Sequence, residues 1–176
     1  RTSVSTDVVL TGNFIGTWNP SGSWLNIANH SGVTVDLPST SVNIAVGNVL
    51  GFNQRAVVLG DGYTVLRSSY FGTPSSGAQN LANTVDVLTV GTARVDVGTR
   101  KQGNVFGYSG RASVELTSTA NGQTVRSNTL GAFPSGGTWV AMASLGVGVW
   151  HRSPSSAAVT IGGKLPGEGN LICNYP

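Results

Sequence analysis

Short runs rich in Val, Ile and Thr alternate apolar with polar residues along this chain, and glycines punctuate them. Val33-Thr34-Val35-Asp36-Leu37 and Val42-Asn43-Ile44-Ala45-Val46 each collect their apolar side chains on one face when read with the two-residue period of a strand. Arg55 to Leu59, Tyr63 to Tyr70, Thr84 to Val90, Ala93 to Val97, Ala112 to Thr119 and Thr124 to Leu130 read the same way, and Val4 to Leu10 reads as an opening strand. No segment holds a helical period over about ten residues; Gln79 to Val85 allows a single helical turn. No internal repeat is read. The pattern predicts an all-β chain whose antiparallel strands form an immunoglobulin-like or jelly-roll β-sandwich.

Two turns support that expectation. Gly60-Asp61-Gly62 separates two strand runs and predicts a hairpin, because its glycines reach positive φ. Asn121-Gly122 is the favoured centre of a type I′ turn. It predicts a second hairpin with Thr119 opposite Thr124 and Glu115 diagonal to Arg126. The most apolar passage, residues 138 to 150, has 13 residues and two glycines, short of the ~20 that a membrane helix needs. Both its faces are apolar, so it predicts a central strand on which Gly146 and Gly148 admit a ligand or another backbone beside Trp150 and Arg152. The chain divides into one sandwich domain over 1–165 and a terminal strand or linker start over 166–176.

Composition narrows the class. Charged residues are 10% of the chain, against a usual ~25%, so the surface is built from Ser, Thr, Asn and Gly, as in secreted proteins or subunits of an assembly. The net charge of +3 is too small to indicate nucleic acid. The densest basic group, Arg94, Arg100, Lys101 and Arg111, reads as a solvated face or a contact for an anionic partner such as an acidic glycan. Cys173 stands alone, which rules out an internal disulfide and a thiolate metal cluster. A start at Arg1, with no methionine or apolar leader, leads us to expect a processed, exported protein. Asn29-His30-Ser31 is an N-glycosylation sequon.

Catalytic sets are sparse. Only His30 and His151 offer imidazole bases, Gly107-Tyr108-Ser109-Gly110 falls one residue short of a nucleophile elbow, and there is no zinc or phosphate-loop motif. Asp7, Asp36, Asp61, Asp86, Asp96, Glu115 and Glu168 are scattered and read mostly as solvated. No catalytic residue, metal ligand or cofactor is assigned. Trp18 and Trp24 bracket a polar loop beginning at Asn19, a surface suited to stacking on sugar rings while amides and hydroxyls meet their oxygens. The candidate ligand-binding residues are therefore Trp18, Asn19, Trp24, Trp150 and Arg152.

The stretch from Leu130 to Trp150, with Pro134, Gly137, Thr138 and Trp139 in order, followed by Ser155 to Gly163, resembles the late strands of chaperone–usher fimbrial subunits and tip adhesins. Tyr175 matches the penultimate tyrosine of that family, and Gly163 its glycine fourteen residues from the end. The resemblance covers roughly the last fifty residues; the paired cysteines of many pilins are absent, and Pro166-Gly167 interrupts the terminal strand. It implies an immunoglobulin-like sandwich joined to its neighbours by donor-strand pairing, with Val4, Thr6, Val8 and Leu10 as a candidate donor segment and Cys173 as half of a disulfide with a following domain. The expected function is a non-enzymatic, extracellular fimbrial adhesin or pilus subunit that binds a host glycan or surface protein and contacts neighbouring subunits, without nucleic acid or membrane insertion. The alternative is a self-assembling viral capsid or decoration protein with a jelly-roll fold.

Overall fold

The computed structural model describes residues 6–19, 23–36, 40–77, 79–153 and 156–176. In chain order the strands are β1 (Thr6–Leu10), β2 (Phe14–Ile15), β3 (Thr17–Trp18), β4 (Leu25–Asn26), β5 (Ser31–Val35), β6 (Thr40–Ile44), β7 (Val49–Leu50), β8 (Arg55–Leu59), β9 (Tyr63–Leu66) and β10 (Tyr70–Phe71). They continue as β11 (Val85–Thr89), β12 (Arg94–Val97), β13 (Val105–Phe106), β14 (Ala112–Leu116), β15 (Gln123–Val125), β16 (Thr129–Leu130), β17 (Ala132–Ser135), β18 (Thr138–Ala141), β19 (Val147–His151), β20 (Val159–Ile161) and β21 (Leu171–Ile172). The described residues contain no helix, and 79–85 form bends and the start of β11 rather than a helical turn.

The chain is all-β, but it is not an antiparallel sandwich. It winds through three parallel sheets in turn: sheet I in the order β5-β8-β11-β14-β19, sheet II in the order β1-β6-β9-β12-β15-β20, and sheet III in the order β2-β7-β10-β13-β16-β21. Each circuit lays one strand on each sheet, directly over the circuit before. Among the described strands only the pairs β3–β4 and β17–β18 are antiparallel, with a single antiparallel bridge between Thr99 and Gln102. This is a three-sided β-solenoid, and its core is the space the sheets enclose.

Both predicted hairpins are corners of this solenoid. Gly60-Asp61-Gly62 joins β8 of sheet I to β9 of sheet II, and Gly62 has φ +76°. The bend is stitched to the next circuit, since the Thr92 hydroxyl donates to Asp61 Oδ1 at 2.7 Å. Asn121-Gly122 likewise joins β14 to β15, and its rung comes from Ala158 N–H donating to Asn121 Oδ1 at 2.8 Å. Glu115 and Arg126 therefore lie on different sheets and pair elsewhere, Glu115 with Arg111 and Arg152, Arg126 with Glu168. A glycine-rich turn signals a reversal of local direction. Whether the next strand folds back beside its predecessor or starts another sheet depends on what stacks on it.

The passage 138–150 is not a central strand. Thr138–Ala141 is half of an exposed hairpin, with Trp139 58% accessible, and Val147–His151 is the edge strand of sheet I. Between them Met142 turns inward against Gly107, where an added Cβ would sit 2.5 Å from the methionine sulfur. Gly148 meets Ile172 and Tyr175 of the chain's own last segment, so the space its missing side chain leaves is filled internally. The sandwich implied by the fimbrial resemblance is not formed. Tyr175 packs against the core, and Gly163 sits against Glu168, where a Cβ would fall 2.2 Å from Oε2. Of the proposed donor segment, Val4 lies outside the described residues, while Val8 and Leu10 belong to β1, paired in parallel with β6.

Like residues stack on like along the interior. Sheet I contributes Val33, Val57, Val87, Val114 and Val149 in register, and sheet II contributes Leu10, Ile44, Leu66, Val97, Val125 and Ile161. Sheet III stacks Ile15, Leu50, Phe71, Phe106, Leu130 and Ile172, with the Phe71 and Phe106 rings parallel and 4.7 Å apart. Leu50, Phe71, Phe106 and Leu130 are wholly buried.

Each of those sheet III residues occupies the same place in a short motif: Asn13-Phe14-Ile15-Gly16, Asn48-Val49-Leu50-Gly51, Ser69-Tyr70-Phe71-Gly72, Asn104-Val105-Phe106-Gly107, Asn128-Thr129-Leu130-Gly131 and Asn170-Leu171-Ile172-Cys173. This is an internal repeat, contrary to expectation. Its first residue builds a ladder down the corner between sheets II and III. The backbone N–H of Asn13 donates to Asn48 Oδ1 at 3.0 Å, that of Ser69 to Asn104 Oδ1 at 3.2 Å, that of Asn104 to Asn128 Oδ1 at 2.9 Å, and that of Asn128 to Asn170 Oδ1 at 3.0 Å. The Asn48 amide reaches Ser69 Oγ at 3.3 Å to join the two halves.

Asn128 is the test of the ladder, because its Oδ1 accepts from both the backbone and the side chain of buried Asn104. Asn128→Ala should lower unfolding free energy in urea by at least ~2 kcal/mol, since an unsatisfied buried polar group costs ~1–3 kcal/mol. Asn13→Ala, at the exposed end, should cost less than half as much; equal losses would show that the ladder does not bear on stability.

Candidate functional site

Residues on a strand alternate sides, so the partners of the buried sheet III stack face outward. They form the column Phe14, Val49, Tyr70, Val105, Thr129 and Leu171. Val49 is buried, but Phe14 is 46% exposed, and Tyr70 and Val105 are partly exposed. An open groove of about 270 Å³ runs across three successive circuits here, lined by Val46 and Gly47, by Ser68, Ser69 and Tyr70, and by Gly103 and Val105.

At the head of this column stand two of the predicted tryptophans. Gly16, with φ +76°, sits so close to the Gly51 carbonyl that a Cβ would lie 2.2 Å from its oxygen. Only glycine lets the chain leave β2 there and enter the β3–β4 hairpin. The hairpin is held by Thr17 Oγ1 donating to the Leu25 carbonyl at 3.2 Å and by Ile27 N–H donating to the Gly16 carbonyl at 3.1 Å. It places Trp18 edge-on to Phe14, ring centroids 5.8 Å apart, and Trp24 5.6 Å from the same ring. Trp18, Leu25 and Ile27 are each about half exposed, at 48%, 48% and 55%. Asn19, like Trp24, is half-buried, and its Oδ1 is enclosed without a donor among the described residues. Phe14, Tyr70 and the groove were not among the predicted site residues. The repeat was their signal, since it puts an outward residue between each ladder asparagine and each core residue.

Trp150 and Arg152 are brought together, but far along the solenoid, on the edge strand of its last circuit. The Arg152 guanidinium lies 4.5 Å and that of Arg111 5.3 Å from the Trp150 ring centroid. Both arginines also donate to Glu115 Oε1, at 3.2 and 2.9 Å, and Glu115 is buried beneath them. The cluster meets its own charge and stacking needs within sheet I and does not join the tryptophans of the first circuit.

Several acids read as solvated are enclosed. Asp96 accepts from Tyr63 Oη at 2.5 Å and Thr124 Oγ1 at 2.7 Å, and Glu168 takes Leu165 N–H at 3.0 Å. The Leu165 amide, with Arg126 and Arg100 nearby, holds the Glu168 carboxyl below the usual carboxylate range. Asp86 is wholly buried. It bridges a second ladder at the corner between sheets III and I, in which Asn29 donates to Asn53 Oδ1 and Asn53 to Asn83 Oδ1, both at 3.1 Å. Where the ladder changes from Asn83 to the shorter Ser109, Asp86 spans the gap, accepting from Asn83 Nδ2 at 2.8 Å and from Ser109 Oγ at 2.5 Å. Ser113 lies 2.6 Å from both Ser109 Oγ and Tyr175 Oη, so a relay of hydroxyls ties the chain's last residues to the interior. The Asn29 of the sequon is likewise a rung, and a glycan on its nitrogen would replace one of its two donor hydrogens.

Compared with protein-family models, curated proteins and solved structures, the chain matches none of them.

Burial pushes the Asp86 carboxyl up to about 7, against the hydrogen bonds from Ser109, Asn83 and Ser113. Its folded pKa lies above the unfolded one, so the stability it confers is complete below about pH 4 and is lost as pH rises through about 7. Asp86→Asn removes that titration. The urea midpoint of the variant relative to the parent should rise between about pH 4.5 and pH 8; parallel pH profiles would contradict the assignment.

Proposed function

We propose that this protein is a non-enzymatic, extracellular recognition module that binds a glycan along the outer face of sheet III. The observation that carries the reading is the cluster of Phe14, Trp18 and Trp24, partly exposed at the head of an outward column that continues through Tyr70 in an open groove. Apolar ring faces edged by hydroxyls and amides suit the mixed surface of a sugar, whose C–H faces stack on aromatic rings while its oxygens take hydrogen bonds. Ser68 and the partly exposed Tyr70 supply hydroxyls to the groove. The groove is lined by corner residues Val46, Gly47, Ser68, Ser69 and Gly103 beside Tyr70 and Val105 of the strands, and the side-chain ladder that ties these corners together preorganises it, so little ordering entropy opposes binding.

The 10% charge content supports an extracellular setting. Donor-strand assembly is not part of the proposal, because it requires a sandwich with an open edge, and the fimbrial and jelly-roll readings both rested on that sandwich. Trp18, Trp24, Phe14 and Tyr70 are the contacts; Trp150 and Arg152 form a separate structural cluster.

Glycan-array screening followed by titration of the retained glycan tests the reading. Trp18→Ala should weaken binding by about thirtyfold, the equivalent of the ~2 kcal/mol that marks an aromatic hot spot, and should leave the β-rich circular dichroism spectrum unchanged. Arg152→Gln should leave affinity within about twofold. Absence of any glycan ligand, or a ligand indifferent to Trp18, would refute it.

A further inference from the structure

The charge of this chain is unevenly placed, and its main concentration borders the groove. The corner between sheets II and III carries Arg67, Arg100, Lys101, Arg126 and Lys164 on successive circuits, with Glu168 as the sole acid. That edge therefore holds +4, while the rest of the chain nets −1 within a total of +3. Glu168 pairs with Arg126 at 3.3 Å and feels the charge of Arg100, so one carboxylate faces five cations at this corner. Arg67 is positioned but not neutralised: its Nη1 donates to Gln102 Oε1 at 2.8 Å and its Nε to Asn43 Oδ1 at 3.3 Å, both neutral amides.

This edge and the groove share a wall. Ser68 and Gly103 line the groove, and their chain neighbours are Arg67 on one side and Lys101-Gln102 on the other. The Arg67–Gln102 bond joins the two circuits at that rim. Lys101 holds φ +65°, a conformation rare for a residue with a side chain, and its side chain packs near Gly167 of the last circuit. The rim is thus a row of cations stepped along the solenoid axis, parallel to the aromatic column.

We propose that the ligand is an acidic polysaccharide lying along the solenoid axis, its rings on Phe14, Trp18, Trp24 and Tyr70 and its carboxylate or sulfate groups on Arg67, Arg100 and Lys101. This rests on the glycan reading of the same face and specifies its chemical class. A neutral glycan has no use for the cationic rim. A nucleic acid would need cations facing the stacking rings across the whole contact, and here they lie along one side.

Native gels containing polygalacturonate, chondroitin sulfate, neutral dextran, neutral β-glucan or single-stranded DNA separate the possibilities. The expected result is retardation by an acidic polysaccharide, weaker by at least roughly fivefold in the double variant R100Q/K101N, where Asn suits the positive φ at 101. It should be abolished near about 1 M salt, where charges are screened over ~3 Å, and lost in Trp18→Ala. Equal retardation by dextran or β-glucan overturns the acidic class and leaves glycan binding standing. Retardation by none of the polysaccharides overturns both. Stronger retardation by DNA, or acidic binding indifferent to Trp18, overturns this inference in favour of a nucleic acid or of plain charge adsorption. A thermal melt of R100Q/K101N within about two degrees of the parent excludes unfolding as the cause.

Discussion

Vertical hydrogen bonding between like residues on successive circuits is the constraint on which this structure depends. A parallel strand cannot pair with its neighbour in sequence; it must wait for the chain to travel round and return. The circuits here are unequal: sheet I strands begin at residues 31, 55, 85, 112 and 147, so successive turns take 24, 30, 27 and 35 residues. What brings each return into register is the corner between sheets II and III. Its side-chain amides saturate the backbone where the ladder of the strands is interrupted, and the core residue two positions on then lands on its counterpart. Most of the variation in length falls in the connections from sheet III to sheet I, which range from 4 to 16 residues and include the exposed β17–β18 hairpin.

The proposed binding face is a by-product of the same constraint. In the motif of Asn or Ser, any residue, a large apolar residue and usually Gly, the second position faces outward and is at least partly exposed everywhere but at Val49. Phe14, Tyr70 and Val105 occupy it, next to a core that cannot move without breaking two ladders. The hairpin carrying Trp18 is hung from the glycine that ends the first motif. Rigidity in the core thus becomes rigidity of the outer surface, and the side chains available for recognition change without cost to the stack.

Much of the local structure was legible. Arg55 to Leu59 is the strand its alternation indicated, and Thr84 to Val90, Ala93 to Val97 and Ala112 to Thr119 each contain one. The error lay in assembly. Gly60-Asp61-Gly62 and Asn121-Gly122 were read as hairpins because a turn tripeptide encodes φ and ψ, not the sheet that the next strand joins. Asp86 was read as solvated since nothing adjacent to it in sequence signals that Asn83 and Ser109 will close around it. Trp18 and Trp24 were singled out from their spacing alone. Tyr70 was not, because a single tyrosine before a phenylalanine is unremarkable until the same frame is seen around Asn48, Asn104 and Asn128.

The outward column has one further implication. Strands in a sheet lie ~4.8 Å apart, so every circuit advances the surface by one fixed step whatever number of residues it consumes. The solenoid is in effect a ruler with interchangeable marks. Adding or removing a circuit would lengthen or shorten the contact by one division, without altering the pitch of those that remain. Discrimination between long and short polymers would then reside in how many turns the chain makes, and discrimination between chemistries in which side chain stands at each mark.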